Sequence, residues 1–474
     1  MRVKPTIAMA TSIAAAFTVL IPAPARAATC DVPSVTYPTI QAAEDDANCD
    51  PIVLGAGTFT ETVIIERSVT IIGAGPEITI VDGNGGVAFD VDDSGASVNL
   101  RAMTITGGTR GVENGGTTTI EDSIVRNNVG DTGLYKHTSA VYTIRRSTIR
   151  DNVAVSSGGG GIVTNSGGSV TIEDSTLSDN HANVWGGGIN TSGGMVTIRN
   201  STLSGNTTNI NGGGFSNEGA TINVVNSTIT DNIADADMDD SGDGGGFAKT
   251  SGEVNLRNSI VAGNRDLSAA GQSPDCHLVG ANPAPVSQGH NIIGNPAGCG
   301  YTAGTGDRTN IDPGLAPLVG YGGPTFTHSP MPGSPAIDLV AASSCTDGAT
   351  TLTADQRGIA RPRDGDGNGV VLCDAGSVEW VPRDLELDAR NKVKKGKKVK
   401  LNAEVEPCVG HEGDVVHFLK KAKEIAAIPL DADCKVTAKS RVKRKTTFTA
   451  ELDPEADHPA DSDRERVRVR KPRR

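Results

Sequence analysis

The chain has 474 residues, with 59 glycines and only 3% aromatic residues, which argues against a core of large aromatic side chains. Hydrophobic residues make up 36% of it and are regularly placed, which argues against disorder. Residues 28–382 hold 16 Lys and Arg against 39 Asp and Glu, a net charge of −23, whereas residues 383–474 hold 24 against 17, a net charge of +7. We therefore expect an acidic body followed by a basic domain.

Residues 1–27 have the pattern of a secretory signal peptide. Arg2 and Lys4 precede a mostly apolar stretch at 7–21, and a motif of small residues ends at Ala27. The apolar stretch is too short for a membrane anchor, and no later segment suits a transmembrane helix. We expect cleavage near Ala27 and a mature chain, without a transmembrane segment, that is secreted or lies at the cell surface.

Eight cysteines, an even number, fit an oxidising compartment. Zinc binding would need closely spaced cysteines, which the chain lacks. Pairing of sequence neighbours is the simplest of the 105 possible connectivities. It predicts four disulfides: Cys30–Cys49, Cys276–Cys299, Cys345–Cys373 and Cys408–Cys434.

A short helix and irregular early coils come next in the chain. Residues 40–47 suit a helix that would cover the open end of a repeat stack, because such ends need polar covers. The phrases VTIIGAGPEITIVDG at 69–83 and VNLRAMTITGG at 98–108 have the composition of short strands separated by turns.

A repeated phrase occupies residues 120–264 and recurs every 24 to 32 residues. Each copy has a Ser, an aliphatic residue three positions before it, another two positions after it, and an Asn five positions after it. Glycine runs follow at 158–161, 186–188, 212–214 and 244–246. The serines are Ser123, Ser147, Ser175, Ser201, Ser227 and Ser259, and the asparagines are Asn128, Asn152, Asn180, Asn206, Asn232 and Asn264.

This period predicts a solenoid whose coils are made of strands, because the segments are short, β-branched and bounded by turn residues. No segment of the repeats has helix length, which argues against leucine-rich repeats. Coils stacked about 4.8 Å apart would align like residues in ladders. We expect aliphatic ladders in the core, asparagine amides that bond one another, and glycines that supply positive φ and close approach at corners.

The opening coils resemble the pectin-lyase-like right-handed β-helix superfamily. There a short helix leads into a Gly- and Val-rich phrase that ends in TI.G.G, matched here by residues 54–75 and continued by TIVDG at 79–83. The resemblance implies a right-handed parallel β-helix, which we assign to residues 28–320. It does not imply an activity.

Residues 321–382 resemble the choice-of-anchor Q region that follows β-helix repeats in bacterial surface proteins. The resemblance implies the end of the β-helix and association with a surface. The sequence departs from the family pattern at Met331 and at Ser377-Val378. The matching residues are Thr327-His328, 332–338, 355–358, Arg361-Pro362, Cys373-Asp374 and Glu379.

Residues 383–474 contain short strand-like phrases and resemble bacterial Ig-like modules, which implies a small β-sandwich. Its basic stretches at 392–400 and 439–445 would bind anionic cell-envelope polymers or an acidic coil of another copy, or form a solvated strand face. Nucleic acid is not an expected partner, because an exported protein rarely meets it. The predicted fold class is therefore all-β, a right-handed parallel β-helix followed by a small Ig-like β-sandwich.

Two acidic loops suit calcium. DGDGNG at 364–369 has oxygens at alternate positions and Gly at the sixth, as calcium loops do, but it lacks the Glu that an EF-hand has at the twelfth. The expected ligands of a looser calcium site are Asp364, Asp366, Asn368 and Asp374, and a plain turn is the alternative. DADMDDSGD at 235–243 would bind calcium or form a solvated loop.

One pair of carboxylates is a candidate for catalysis. Asp151 and Asp179, four residues after their repeat serines, would lie on successive coils about 5 Å apart. Carboxylates this close raise one pKa and can act as a glycosidase pair or share a cation. His181 is adjacent in sequence, but the phrases that hold these residues are also typical of ordinary turns. Sugar sites favour aromatic platforms, and Trp185 is the only Trp among the coils.

We expect a non-catalytic protein with a binding, adhesion or structural role toward envelope or extracellular polysaccharide. The alternative is a polysaccharide lyase or glycoside hydrolase that uses Asp151 and Asp179. A structural spacer without a ligand is a third hypothesis. Calcium is the one cofactor that the sequence suggests.

Overall fold

The computed structural model describes residues 28–269, 272–280, 282–381, 384–389, 392–394, 397–406, 415–421, 423–431, 434–441, 446–452 and 462–470. The predicted signal peptide at 1–27 lies outside these residues. The fold is all-β, with about 2% helix. A parallel β-solenoid of about ten turns is followed by antiparallel sheets that are compatible with a small β-sandwich, so the predicted fold class is confirmed.

Three parallel sheets, here named A, B and C, form the walls of the solenoid. In the described part of the chain they have 18, 11 and 6 strands. Sheet A contains Ala28–Val32, Cys49–Leu54, Val63–Ile65, Val69–Ile72, Val87–Val91, Ser97–Arg101, Arg110–Asn114, Thr117–Glu121, Thr132–Lys136, Val141–Arg145, Ile162–Thr164, Ser169–Glu173, Ile189–Thr191, Met195–Arg199, Phe215–Val225, Phe247–Arg257, Cys276–Leu278 and Val286–Ser287. Sheet B contains Gly57–Thr60, Thr79–Asp82, Thr104–Thr106, Ile124–Arg126, Thr148–Arg150, Thr176–Ser178, Thr202–Ser204, Thr228–Thr230, Ile260–Val261, Ile292–Ile293 and Arg308–Thr309. Sheet C contains Val129–Gly130, Val153–Ala154, His181–Ala182, Thr207–Thr208, Ile233–Ala234 and Arg265–Asp266.

Neighbouring coils are paired in register, so equivalent residues of the repeat lie above one another. Val170 pairs with Val196, and Ile172 pairs with Ile198. These four side chains are buried in one continuous apolar core, whereas Thr171 between them is partly exposed. This alternation is what a strand with one buried face produces.

The six asparagines form an unbroken ladder of buried hydrogen bonds. In each step the side-chain Nδ2 and the backbone N–H of one Asn both donate to Oδ1 of the next. Asn152 donates to Asn180 at 3.0 and 3.2 Å, and Asn180 donates to Asn206 at 2.9 and 3.2 Å. At the end of the ladder Asn264 donates to the carboxylate of Asp275, a partner that lies outside the repeat and that the sequence did not reveal.

The repeated serines form a second ladder. The N–H of Ser175 donates to Oγ of Ser201 at 3.1 Å, and the Ser175 hydroxyl donates to the carbonyl of Glu173 at 2.7 Å. A hydroxyl group is needed at this position because it acts as donor and acceptor at once. Past the last repeat Ser, Asn291 accepts the bond from Ser259.

The glycine runs lie where successive coils touch. A Cβ atom on Gly187 would lie 2.4 Å from the carbonyl oxygen of Thr207 and 2.6 Å from that of Gly213, so no side chain fits there. The preceding Gly186 has a φ of +63°, which other residues rarely adopt. Close approach and positive φ together explain why each copy of the phrase carries several glycines.

The predicted opening helix is present but shorter than expected. It covers Ile40–Glu44 rather than 40–47, because the chain must turn back into the strand Cys49–Leu54. Thr39 caps it by accepting the N–H of Ala42 at 3.1 Å. A 3-10 helix covers Ala342–Ser344. Among the described residues, none of the helices has the length and apolar composition needed to span a membrane.

Three of the four predicted disulfides are present. Cys30 bonds Cys49, Cys276 bonds Cys299, and Cys345 bonds Cys373. Cys434 is also disulfide-bonded. Its predicted partner, Cys408, lies outside the described residues, so this pairing stays a prediction.

The described residues beyond 383 form two sheets around a separate apolar core that includes Leu401, Phe418 and Phe448. Their strands pair mainly antiparallel, as expected of a β-sandwich, and Lys392–Lys394 pairs parallel to the last strand. One sheet contains Asp384–Ala389, Lys398–Glu406 and Lys435–Arg441. The other contains Lys392–Lys394, Val415–Lys420, Lys423–Pro429, Thr446–Leu452 and Ser462–Arg470.

Candidate functional site

Residues 315–381, here called the covering segment, lie against the outer face of sheet B. Thr176 Oγ1 donates to the carbonyl of Phe326 at 2.6 Å, and Thr202 Oγ1 donates to Oε1 of Gln356 at 2.7 Å. Nε2 of His328 lies 2.8 Å from Oγ of Ser204. The resemblance implied that this region ends the β-helix. Instead it forms a layer outside the coils, because its polar side chains satisfy the outward Thr and Ser row of sheet B.

The residues that match the choice-of-anchor pattern hold this layer together. Arg361 and Glu379 form an ion pair at 2.9 Å, and both side chains are almost completely buried. Asp355 accepts the backbone N–H of Glu379 at 3.0 Å. Burial raises the pKa of Glu379 and of Asp374, although the Arg361 guanidinium opposes this in both. The matched phrase therefore builds a buried polar network beside the solenoid.

A cleft of about 600 Å³ lies between the covering segment and the outer face of sheet B, and it includes the corner where sheet A turns into sheet B. This volume is within the range of ligand sites in proteins. The cleft crosses the coils of Glu77, Ala102, Asp122, Arg146 and Asp179. Four steps of about 4.8 Å give it a length of about 19 Å along the solenoid.

One wall of the cleft is apolar and comes from the covering segment. Leu318, Pro324 and Phe326 line it, and Phe326 is 57% exposed. Phe326 was not predicted from the sequence, because an aromatic platform was expected only among the coils. Trp185, the expected aromatic residue, is 39% exposed but does not line the cleft.

The floor of the cleft carries fixed charges of both signs. Arg146 donates to Asp122 Oδ1 at 2.7 Å, and Arg150 donates to Asp151 Oδ2 at 2.5 Å. The hydrogen bond from Arg146 is the main reason why the pKa of Asp122 lies below its usual value. The hydroxyl of Thr148 also lines this floor. Guanidinium and carboxylate groups thus lie on the cleft floor at both edges of sheet B.

The structure brings two of the three proposed catalytic residues together. Asp151 and Asp179 are neighbours on successive coils. The pKa of Asp179 is raised mainly by burial, and the negative charge of Asp151 raises it further to a smaller extent. Asp179 lines the cleft, whereas Asp151 is bound by Arg150. His181 lies on sheet C, where its ring nitrogens contact Thr207 Oγ1 and Asn183 Oδ1 at 2.8 and 3.0 Å.

Backbone geometry gives this Asp position a structural role. Asp151 and Asp179 both have a φ of +55°, and the equivalent Asn127, Gly205 and Asp231 also have positive φ. Asn, Asp and Gly are the residue types that adopt this conformation most readily. The recurrence of these types in the repeat therefore follows from a left-handed corner and needs no catalytic function.

The predicted calcium loop brings only part of its expected ligands together. Asp364 and Asp366 cluster with Asp338, which the sequence analysis did not name. Asn368 donates to Asp366 at 2.8 Å. Asp374 instead accepts the backbone N–H of Asp338 at 2.7 Å and that of Trp380. Its role is therefore to connect two backbone segments.

Comparisons with known proteins do not assign this site. The chain matches no protein-family model and no curated protein. Among solved structures it is similar to a superoxide reductase (neelaredoxin) from Ignicoccus hospitalis, with 15% sequence identity over 18% of this chain and 80% of the other, at a TM-score of 0.15. A TM-score this low carries no argument about fold or activity.

Proposed function

We propose that the protein is a secreted or cell-surface β-helix protein that binds an extracellular or envelope polysaccharide without acting on it. The observation that carries the proposal is the exposed Phe326 on the wall of a cleft whose floor carries both guanidinium and carboxylate groups. An aromatic ring packs on the apolar face of a sugar, and charged groups make strong hydrogen bonds to its hydroxyls. A linear polymer suits a cleft that follows the coil axis.

Other features support an extracellular location. The described disulfides fit an oxidising compartment. Our proposal includes a signal peptide at residues 1–27, as the sequence pattern predicts. We assign the opening coils to the pectin-lyase-like superfamily, residues 321–382 to a choice-of-anchor type region and residues 383–474 to an Ig-like module, each by resemblance. The basic module would hold the protein to anionic envelope polymers, and nucleic acid is not a proposed partner.

Glycan binding by the full exported chain tests this function. We expect a polysaccharide fragment to be selected on a glycan array and confirmed by calorimetry. Phe326→Ala is expected to weaken its binding about tenfold, since a stacked aromatic contact contributes about 1–1.5 kcal/mol. Trp185→Ala is the matched control, because it removes an exposed aromatic ring outside the cleft. Equal losses in both variants, or no glycan binding, would refute the proposal.

A second candidate function is hydrolysis or elimination on the same polymer. The observation that favours it is Asp179, a carboxyl with a raised pKa that lines the cleft beside Asp151. Assays for new reducing ends and unsaturated products separate the two functions. Our proposal predicts no turnover by the native chain. Turnover that Asp179→Asn abolishes while glycan binding remains would establish the enzyme instead.

A further inference from the structure

The longest coil of the repeat carries an acidic loop, residues 235–243, between the strands Ile233–Ala234 and Phe247–Arg257. Asp235, Asp237 and Asp239 each offer a ligand oxygen, and these three oxygens lie within 4.8 Å of one another. Two oxygens on opposite sides of one Ca²⁺ are at most about 5 Å apart, since calcium–oxygen distances are about 2.3–2.6 Å. The spacing therefore suits ligands of a single ion.

Asp235 has a buried oxygen without a hydrogen bond. Its side chain is fully buried, and Oδ1 accepts the backbone N–H of Asp239 at 3.1 Å. Oδ2 is equally inaccessible to solvent and has no hydrogen-bond partner. A buried carboxylate oxygen without a partner costs several kcal/mol unless a proton or a cation satisfies it.

The basic side chain recorded beside this loop is that of His277, whose Nε2 lies 3.7 Å from Asp243 Oδ2 and which forms no ion pair with the three clustered aspartates of the described chain. In the described part of the chain, no Lys or Arg forms an ion pair with Asp235, Asp237 or Asp239. Two further carboxyls, Asp243 and Asp266, lie close by. Asp243 lies close enough to Asp266 for a hydrogen bond and close enough to Asp235 for their charges to interact. The local field is therefore negative and favours a divalent cation.

The second acidic cluster of the molecule lacks such an unsatisfied oxygen. In the cluster of Asp338, Asp364 and Asp366, Asp338 accepts the N–H groups of Gly365 and Asp366. Asp364 accepts those of Gly367 and Gly369 at 2.8 and 2.9 Å. These carboxylates already stabilise the turn by themselves. The two loops thus differ in that only the loop 235–243 has a buried carboxylate oxygen without a hydrogen-bond partner.

We propose that residues 235–243 bind one calcium ion, with Asp235, Asp237 and Asp239 as carboxylate ligands and with backbone carbonyls and water completing the coordination. Calcium fits better than magnesium because it tolerates irregular oxygen coordination. The bound ion connects the exposed part of the loop 235–243 to the buried side chain of Asp235. This site is independent of the glycan cleft.

Calorimetry with calcium chloride on the full exported chain, first freed of metal with EDTA, tests the proposal. We expect one ion to bind with a Kd of about 10⁻⁴–10⁻³ M, as in extracellular modules. Asp237→Asn changes an exposed side chain and is expected to weaken binding at least tenfold without affecting folding. Asp364→Asn, in the self-satisfied cluster, is the matched control and should leave the Kd unchanged.

The melting temperature of Asp235→Asn, measured with and without calcium, distinguishes a calcium ligand from an aspartate that only stabilises the fold. The substitution removes a buried charge, so the metal-free variant should melt at a higher temperature than the metal-free native chain, and its melting temperature should not respond to calcium. Calcium should also slow amide exchange within 235–243 in the native chain only. The proposal is wrong if the native chain binds no calcium at 5 mM (about fivefold above the expected weakest Kd), or if Asp364→Asn abolishes binding while Asp237→Asn does not.

Discussion

The substitution Asn180→Ala removes one step from the middle of the asparagine ladder. Asn180 Oδ1 accepts both the N–H and the Nδ2 group of Asn152, and its own Nδ2 donates to Asn206 and to the carbonyl of Ile149. All of these bonds are buried. The truncated chain would keep the coils in place but leave two donors of Asn152 without their acceptor.

The cost follows from the number of groups that lose their partner. A buried donor without an acceptor costs about 1–3 kcal/mol, so the two donors of Asn152 together predict a loss of about 2–6 kcal/mol. Since about 1.4 kcal/mol corresponds to a factor of ten, amide exchange in the adjacent coils should accelerate about thirtyfold or more. The strands expected to be affected most are Thr148–Arg150, which precedes Asn152, and Thr176–Ser178, which precedes Asn180.

Hydrogen exchange measured by mass spectrometry reports this effect coil by coil. Asn209→Ala is the matched control, because Asn209 lies on the next coil of the solenoid, is partly exposed and has no side-chain hydrogen bond among the described residues. We expect a change of less than about 0.5 kcal/mol for the control. If Asn180→Ala were as mild as the control, the ladder would not stabilise the solenoid and the reasoning would be refuted.

Three further predictions concern the coil contacts, the covering segment and pH. Gly187→Ala should lower the unfolding midpoint by far more than Gly55→Ala, because the first added Cβ would lie 2.4 and 2.6 Å from two carbonyl oxygens, whereas the second would have no neighbour closer than 3.6 Å, and neither glycine has a positive φ; equal thermal shifts would contradict this. Gln356→Ala removes hydrogen bonds to three hydroxyls and two carbonyls, and should expose residues 321–381 to limited proteolysis, whereas the exposed Gln272→Ala should not. Burial raises the pKa of Asp275 to about 6, above an unfolded value of about 4, so the folded state holds a proton that the unfolded state has lost, and stability falls as pH rises from about 4 to 6. The difference in urea stability between the native chain and Asp275→Asn should therefore change by about 3 kcal/mol between pH 4 and 7.5 in favour of the variant, and a difference independent of pH would contradict the assignment.

The solenoid was predictable because stacking forces equivalent residues to be alike. Asn180, Ser175 and Ile172 recur at fixed positions, and each meets its own equivalent on the next coil. The aligned repeats also contain a charge pattern from which ion pairs between coils could have been predicted. Outward positions of sheet A alternate in charge through Arg101, Glu121, Arg145, Glu173 and Arg199, and neighbours such as Arg145 and Glu173 pair at 3.0 Å.

The cleft was not predictable because its two walls are distant in sequence. Gln356 reaches Thr176 across 180 residues, and no repeat or local pattern indicates which face of the solenoid the covering segment contacts. The partner of Asn264 was missed for a related reason. Asp275 lies only 11 residues away and breaks the period, so an alignment of repeats does not contain it.

Cross-linking between adjacent coils tests the stacked register on which the ladders and the cleft depend. Thr171 and Thr197 face outwards as direct partners, so cysteines at both positions should form a disulfide that peptide mapping detects under non-reducing conditions. Cysteines at Thr171 and Met195 are displaced by two residues and should stay apart, because Met195 is paired with Ser169. A 171–195 disulfide in place of the 171–197 disulfide would contradict the register and every contact derived from it.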